Sequence, residues 1–138
     1  MSKPRVLILG CTGFIGRNLL RYLVENQLCS FIRVSDKNRP EMSWLSQGDQ
    51  EILTRPGVEY MMSNLCNQQS VSKTFEHPDG PFEIVINLAA VGPYGQDPEF
   101  YEAKLSNLVR LCGNEAKQRG VRRWVEVSTA QVYKSTSK

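Results

Sequence analysis

The stretch "RVLILGCTGFIG" at residues 5–16 limits the possible folds more than any other part of the chain. Val6–Leu9 is apolar without interruption, as in a strand covered on both faces. Glycines follow at 10, 13 and 16, and residues 14–25, "FIGRNLLRYLVE", then place Phe14, Ile15, Leu19, Leu20 and Leu23 on one helical stripe. A doubly covered strand that turns through glycines into a helix belongs to a layered α/β architecture. Glycine is common in turns, so the triplet by itself is a weak signal and its context decides.

The same alternation continues. "FIRVS" (31–35) predicts a second strand ending at Asp36, and "EMSWLSQGDQEILT" (41–54) holds a helix. "VEYMM" (58–62) predicts a third strand and "QQSVSKTFE" (68–76) a short helix. "FEIVINLAA" (82–90) predicts a fourth strand. Residues 97–118 predict a long helix with Tyr101, Leu105, Leu108, Leu111, Cys112 and Ala116 near one face, and "RWVEVS" (123–128) predicts a fifth strand. This order predicts a Rossmann-type, three-layer, doubly wound parallel sheet with strand order 3-2-1-4-5, ending after strand 5. Its ligand site belongs at the carboxyl edge, where the strand order reverses between strands 1 and 4. A chain of 138 residues suits one such domain, taken as residues 1–138.

Each glycine then has a separate task. Gly10 allows a sharp turn, Gly13 lets backbone approach a pyrophosphate, and Gly16 lets the helix pack closely on strand 1. Backbone N–H groups near Phe14 and Ile15, at the positive end of the helix dipole, would face the phosphates. The second element of a dinucleotide site is an acidic residue about 20 positions on, accepting hydrogen bonds from a ribose. Asp36 stands twenty residues beyond Gly16, at the close of strand 2. A carboxylate there repels a 2′-phosphate and favours NAD over NADP, while the neighbouring Lys37 and Arg39 keep NADP open. Cys11, inside the loop, reads as a small filler rather than a reactive thiol.

Other classes receive little support. Net charge is +3, and the densest basic run, "KQRGVRR" (117–123), reads as a helix end and its exit turn, so nucleic acid is not an expected partner. The four cysteines contain no C-x-x-C pair and the single histidine, His77, sits in "HPDG", so no metal site is expected. Unpaired cysteines point to a reducing, cytoplasmic setting. The apolar run of four residues before Gly10 is too short for a secretory signal, and no stretch approaches the ~20 apolar residues that cross a bilayer.

These motifs resemble the extended short-chain dehydrogenase/reductase family, which holds the NAD-dependent epimerases and dehydratases. The resemblance covers essentially the whole chain, as the amino-terminal part of that fold. "GCTGFIG" is similar to the family's cofactor loop, whose three-three glycine spacing differs from the two-three spacing of many other dinucleotide folds. The resemblance implies cofactor contacts at Gly10, Thr12, Gly13, Phe14, Ile15, Gly16, Asp36 and Lys37. "SNLCN" (63–67) is similar to the segment that holds adenine, which implicates Asn64, standing where Asp is usual, and Leu65. "NLAA" (87–90) is similar to the segment passing under the pyrophosphate, with Asn87 where His is frequent and Leu88, Ala89 and Ala90 as cofactor contacts. "WVEVSTAQVY" (124–133) is similar to the strand-5 segment that delivers the catalytic hydroxyl. That implies Thr129 as the hydroxyl, Ser128 beside the nicotinamide and Tyr133 as a structural tyrosine. Asn107 resembles the family's helix asparagine.

One departure stands out. The family's chemistry uses a Tyr with a Lys four residues later, the lysine lowering the phenol's pKa. Here the five tyrosines, Tyr22, Tyr60, Tyr94, Tyr101 and Tyr133, meet Asn26, Asn64, Pro98, Leu105 and Ser137 at that distance. Three readings therefore stay open, one of them that the fold survives with an empty site. The chain is the NAD-binding portion of an epimerase/dehydratase-type oxidoreductase acting on a nucleotide sugar or another small alcohol, and is itself not catalytic. Alternatively it is a non-catalytic dinucleotide sensor or interaction module. An unpaired edge on strand 5 and an apolar strip on the 97–118 helix make a homodimer an expected partner state, and Tyr94 and Gln96 are candidates for the substrate mouth.

Overall fold

The computed structural model describes residues 2–90 and 93–129; the "QVYKSTSK" tail, with Tyr133 and Lys138, lies outside them. Five strands, β1 (Arg5–Leu9), β2 (Phe31–Asp36), β3 (Val58–Met62), β4 (Ile84–Asn87) and β5 (Arg123–Glu126), form one sheet in the order β3-β2-β1-β4-β5. Every neighbouring pair is parallel. The crossovers carry α1 (Phe14–Glu25), α2 (Gln47–Leu53), α3 (Gln68–Phe75), and a helix that runs from α4 (Pro98–Tyr101) through a π turn (Glu102–Ser106) into α5 (Asn107–Gln118).

The apolar run of β1 divides between two cores, because successive side chains point to opposite faces. Leu7 and Leu9 join Val71, Phe75, Phe82, Val85 and Cys112 under α3 and α5. Val6 and Ile8 join Leu20, Ile32, Val34 and Ile52 under α1 and α2. A strand read as apolar at every position is thus the centre strand of a three-layer sandwich. Among the described residues two charged side chains, Arg33 and Glu115, are buried in it. Arg33 of β2 is buried, pairs with Glu59 (Nε to Oε2 2.7 Å), donates to the carbonyls of Thr74 (2.9 Å) and Glu76, and lies over the Phe82 ring. It closes the carboxyl end of α3, where unpaired carbonyls need donors.

The elements depart from the sequence reading in four places. Phe14 and Ile15 are 74% and 56% exposed, so the buried stripe of α1 begins at Gly16 and runs through Leu20. The 41–54 segment is a 3-10 turn (Pro40–Met42) and then α2, because Ser46 and Asp49 form a capping box that starts the helix at Gln47. The fourth strand stops at Asn87 rather than 90: Leu88 N–H still reaches the Leu9 carbonyl (2.8 Å), but Ala89 N–H turns to Asn87 Oδ1 (3.1 Å). The fifth stops at Glu126 rather than 128, since beyond Val127 N–H to the Asn87 carbonyl (3.1 Å) the neighbouring strand has ended.

Candidate functional site

The three glycines do different work. Gly10 has φ +82°, and a Cβ there would lie 2.6 Å from Ala89 N and 2.7 Å from the Leu88 carbonyl carbon. A Cβ at Gly16 would lie 2.5 Å from the Gly10 carbonyl oxygen and 2.7 Å from Cys11 Cα. Both approaches are to backbone, so the fold itself requires glycine at 10 and 16. Gly13 is not required in that way: its nearest neighbour would be the Gly10 oxygen at 3.6 Å. The space in front of Gly13 is left free by the protein. Gly13 is also where α1 begins, without a side-chain cap and without an acidic residue in the first turn. By contrast α2, α3 and α4 are capped by Ser46, Asn67 and Asp97. An uncapped helix start behind an open glycine is a seat for an anion.

Asp36 stands beside this loop with a fixed carboxylate. Oδ2 accepts from Thr12 N–H (3.0 Å) and Oδ1 from Lys37 N–H (2.7 Å). Thr12 is thereby tied to the end of β2, its amide turned to Asp36. Oδ1 also accepts from Asn38 N–H (3.4 Å), so Oδ2 is the oxygen that retains a lone pair for a hydroxyl donor. Burial, and next the charge of Asp36, push the Cys11 thiol far above its ordinary range, so it remains a neutral filler. Tyr60 donates to the Asp36 (3.4 Å) and Asn38 carbonyls, and its phenol is raised by burial first and then by Cys11 and Asp36.

Two hollows open at the carboxyl edge of the sheet, of about 540 and 590 Å³. Gly10, Gly13, Leu88, Ala89 and Ala90 wall both. The first continues over Thr12, Asp36, Lys37, Asn64 and Leu65, and the second over Phe14, Ile15, Gly16, Ser128 and Thr129. Every residue singled out in the sequence as a cofactor contact or catalytic hydroxyl lines one hollow or the other. The exposure of Phe14 and Ile15 follows from this placement: they face the second hollow instead of the core. Asn64 is exposed, and its Oδ1 already accepts from Cys66 N–H (3.1 Å) in a turn.

Other residues stand elsewhere or were missed. Asn107 points to the loop before α3, with Nδ2 3.5 Å from the Cys66 carbonyl and Oδ1 accepting from Arg110. Tyr94 is 81% exposed and, like Gln96, forms no wall of either hollow. Phe100, Lys104 and Leu108 wall the first hollow, and Leu105 and Val109 the second, all from the helix that begins at Pro98. The repeat at 100, 104 and 108 is a possible sequence signal, but it merges with the core stripe at 105, 108 and 112. The π turn rotates this part of the helix, and Lys104 C=O accepts from the Cys66 thiol (3.3 Å). Glu126 also lines the second hollow and was not expected there. Among the described residues there is no cluster able to hold a metal and no helix long and apolar enough to cross a membrane.

Residues 6–138 match the model of the NAD dependent epimerase/dehydratase family. The chain belongs to that family. No curated protein matches the sequence. Among solved structures it is similar to the Bordetella bronchiseptica enzyme WbmG in complex with NAD and UDP, at 21% identity and TM-score 0.78, over 99% of this chain and 41% of WbmG. It is also similar to uronate dehydrogenase from Agrobacterium tumefaciens (17% identity, TM-score 0.70, 94% of this chain and 42% of that one). A third is a UDP-galactose 4-epimerase (21% identity, TM-score 0.71, 97% and 41%). At these identities the likeness is one of fold, and the chain spans about two fifths of each of these structures.

Proposed function

We propose that residues 1–138 form the dinucleotide-binding unit of a NAD-dependent epimerase, dehydratase or dehydrogenase. The observation that carries this reading is the shared wall of the two hollows. The open Gly13 and the uncapped start of α1 lie between a hollow that reaches Asp36 and one that reaches Ser128 and Thr129. A dinucleotide has that layout, with a diphosphate between two nucleosides. The backbone N–H groups from Gly13 into α1 would hold the diphosphate. Asp36 would accept from the adenosine ribose, and Asn64 and Leu65 would flank adenine. Asp36 favours NAD over NADP, because its charge opposes a 2′-phosphate, which the neighbouring Lys37 and Arg39 offset only in part. Ser128 would border the nicotinamide, and Thr129 would donate a hydrogen bond to a substrate oxygen. NAD, when bound, supplies the hydride acceptor.

The family's nucleotide-sugar chemistry, with UDP present in the WbmG structure, makes a nucleotide sugar or another small alcohol the proposed substrate of the parent enzyme. The chain alone is expected to bind cofactor weakly and not to turn over, because these residues contain no Tyr-x-x-x-Lys pair. That same observation favours the second reading, a non-catalytic dinucleotide sensor or interaction module. Calorimetric titration of the 138-residue chain with NAD and NADP tests the common part. Saturable binding with NAD tighter than NADP is expected, and no heat at millimolar NAD would overturn both readings.

A further inference from the structure

A side-chain relay behind the shared wall has no part in the reading above. Asn87 ends β4 and is fully buried. Its register partner is Glu126, the last residue of β5. Asn87 Nδ2 lies 2.9 and 3.0 Å from the two carboxylate oxygens of Glu126, and Trp124 Nε1–H donates to Oε2 (3.1 Å). On its other side, Asn87 Oδ1 accepts from Ala89 N–H (3.1 Å). An amide side chain alone leaves open which end is nitrogen and which is oxygen. A carboxylate only accepts, so Glu126 compels the nitrogen to face it and the oxygen to face Ala89.

The orientation matters because Ala89 is where the chain leaves the sheet. Leu88–Ala90 walls both hollows, and Gly10 packs directly on Ala89 N and Leu88. If Asn87 turned over, Ala89 N–H would meet another N–H group in a half-buried place, a loss larger than that of an exposed hydrogen bond. The backbone of 88–90 would then move against the glycine loop.

We propose that Glu126 is a positioning residue for the dinucleotide: acting through Asn87, it sets the course of Leu88–Ala90 beneath the diphosphate. The inference rests on the dinucleotide reading only for the ligand, since the relay itself is made of contacts within the chain.

Two readouts test it, backbone amide exchange at Ala89 without cofactor and the Kd for NAD. N87D places a second carboxylate against Glu126, and E126M removes the acceptor. Each is expected to raise Ala89 exchange and weaken NAD binding by roughly three- to tenfold, the scale of one part-buried hydrogen bond to a charged group. E126Q keeps one acceptor for Asn87 and should cost less. In N87D/E126Q the new amide can donate to Asp while that carboxylate still accepts from Ala89 N–H, so both readouts should return most of the way. The relay is overturned if the double variant is no better than N87D. It is equally overturned if Ala89 exchange is unmoved in both N87D and E126M, or rises only in step with amides of the distant β2 strand. Absence of NAD binding by the unmutated chain would instead count against the dinucleotide reading, while the exchange cycle would still decide the relay.

Discussion

The two ends of the sheet are built on opposite principles. At the amino end, polar groups are paired and gaps are filled. Arg5 N–H donates to Glu83 Oε2 (2.7 Å), its guanidinium lies 3.2 Å from Oε1 and also reaches the Asp79 carbonyl, and Ser30 N–H meets the Pro4 carbonyl (3.0 Å). Phe31, His77 and Phe82 cluster there with ring centroids 4.7–6.3 Å apart, the two phenylalanines stacked and the imidazole tilted against both. The carboxyl end withholds such closure. Its first helix lacks a cap, its middle glycine faces open space, and two hollows remain between the loops. An anion-binding edge needs donors that the fold has not already satisfied, and only an edge secured elsewhere can leave them so.

The largest test breaks the closed part of the carboxyl edge. G10A drives a methyl into the backbone of Leu88 and Ala89 from a left-handed conformation, and should destabilise the chain by about 3 kcal/mol or more, read as a large fall in Tm. G13A separates function from folding. The fold accepts that methyl, so Tm should stay within about 1 kcal/mol equivalent while the Kd for NAD rises at least about tenfold. A parallel loss of stability in G13A would show that the loop is open by accident. D36N tests the ribose end: NAD should weaken by about 1–2 kcal/mol and NADP by less, so their affinity ratio narrows.

The smallest effect belongs at the amino end. Burial raises the Glu83 pKa, but hydrogen bonds from Arg5 backbone and guanidinium outweigh it and lower the pKa below its ordinary value of 4.5. A depressed carboxylate adds stability that is complete above its unfolded value and lost as pH falls through the folded one. E83Q should therefore cost less than about 1 kcal/mol at neutral pH, flatten the acid limb of stability against pH below about 4.5, and leave NAD affinity unchanged. A changed affinity would mean that the two ends are coupled.

Much of this layout can be read along the chain, for local reasons. Leu7 and Ile8 had to be buried whichever face they took, so an unbroken apolar run already implied layers on both sides. The glycine spacing and Asp36 are likewise local, because a loop and the end of the next strand are brought together by one parallel pairing. Phe14 and Ile15 show where such reading stops. Periodicity places them on the apolar stripe, yet the helix begins so close to the sheet edge that its first turn overhangs the second hollow. Phe100 and Lys104 are a similar case, since a π turn with no compositional mark decides which side of the long helix faces the hollows.

The sequence by itself determined the strand and helix alternation, the parallel order and the loop at which a diphosphate can be held, because each depends on residues adjacent along the chain or one crossover apart. Only the tertiary structure decided that Gly10 presses on Ala89, that of the three loop glycines Gly13 is the one with room for a methyl, and that Glu126 meets Asn87 across two strand ends. Those contacts join segments separated by tens of residues, and their geometry depends on the register of the sheet and the exact end of each strand, which no local pattern encodes.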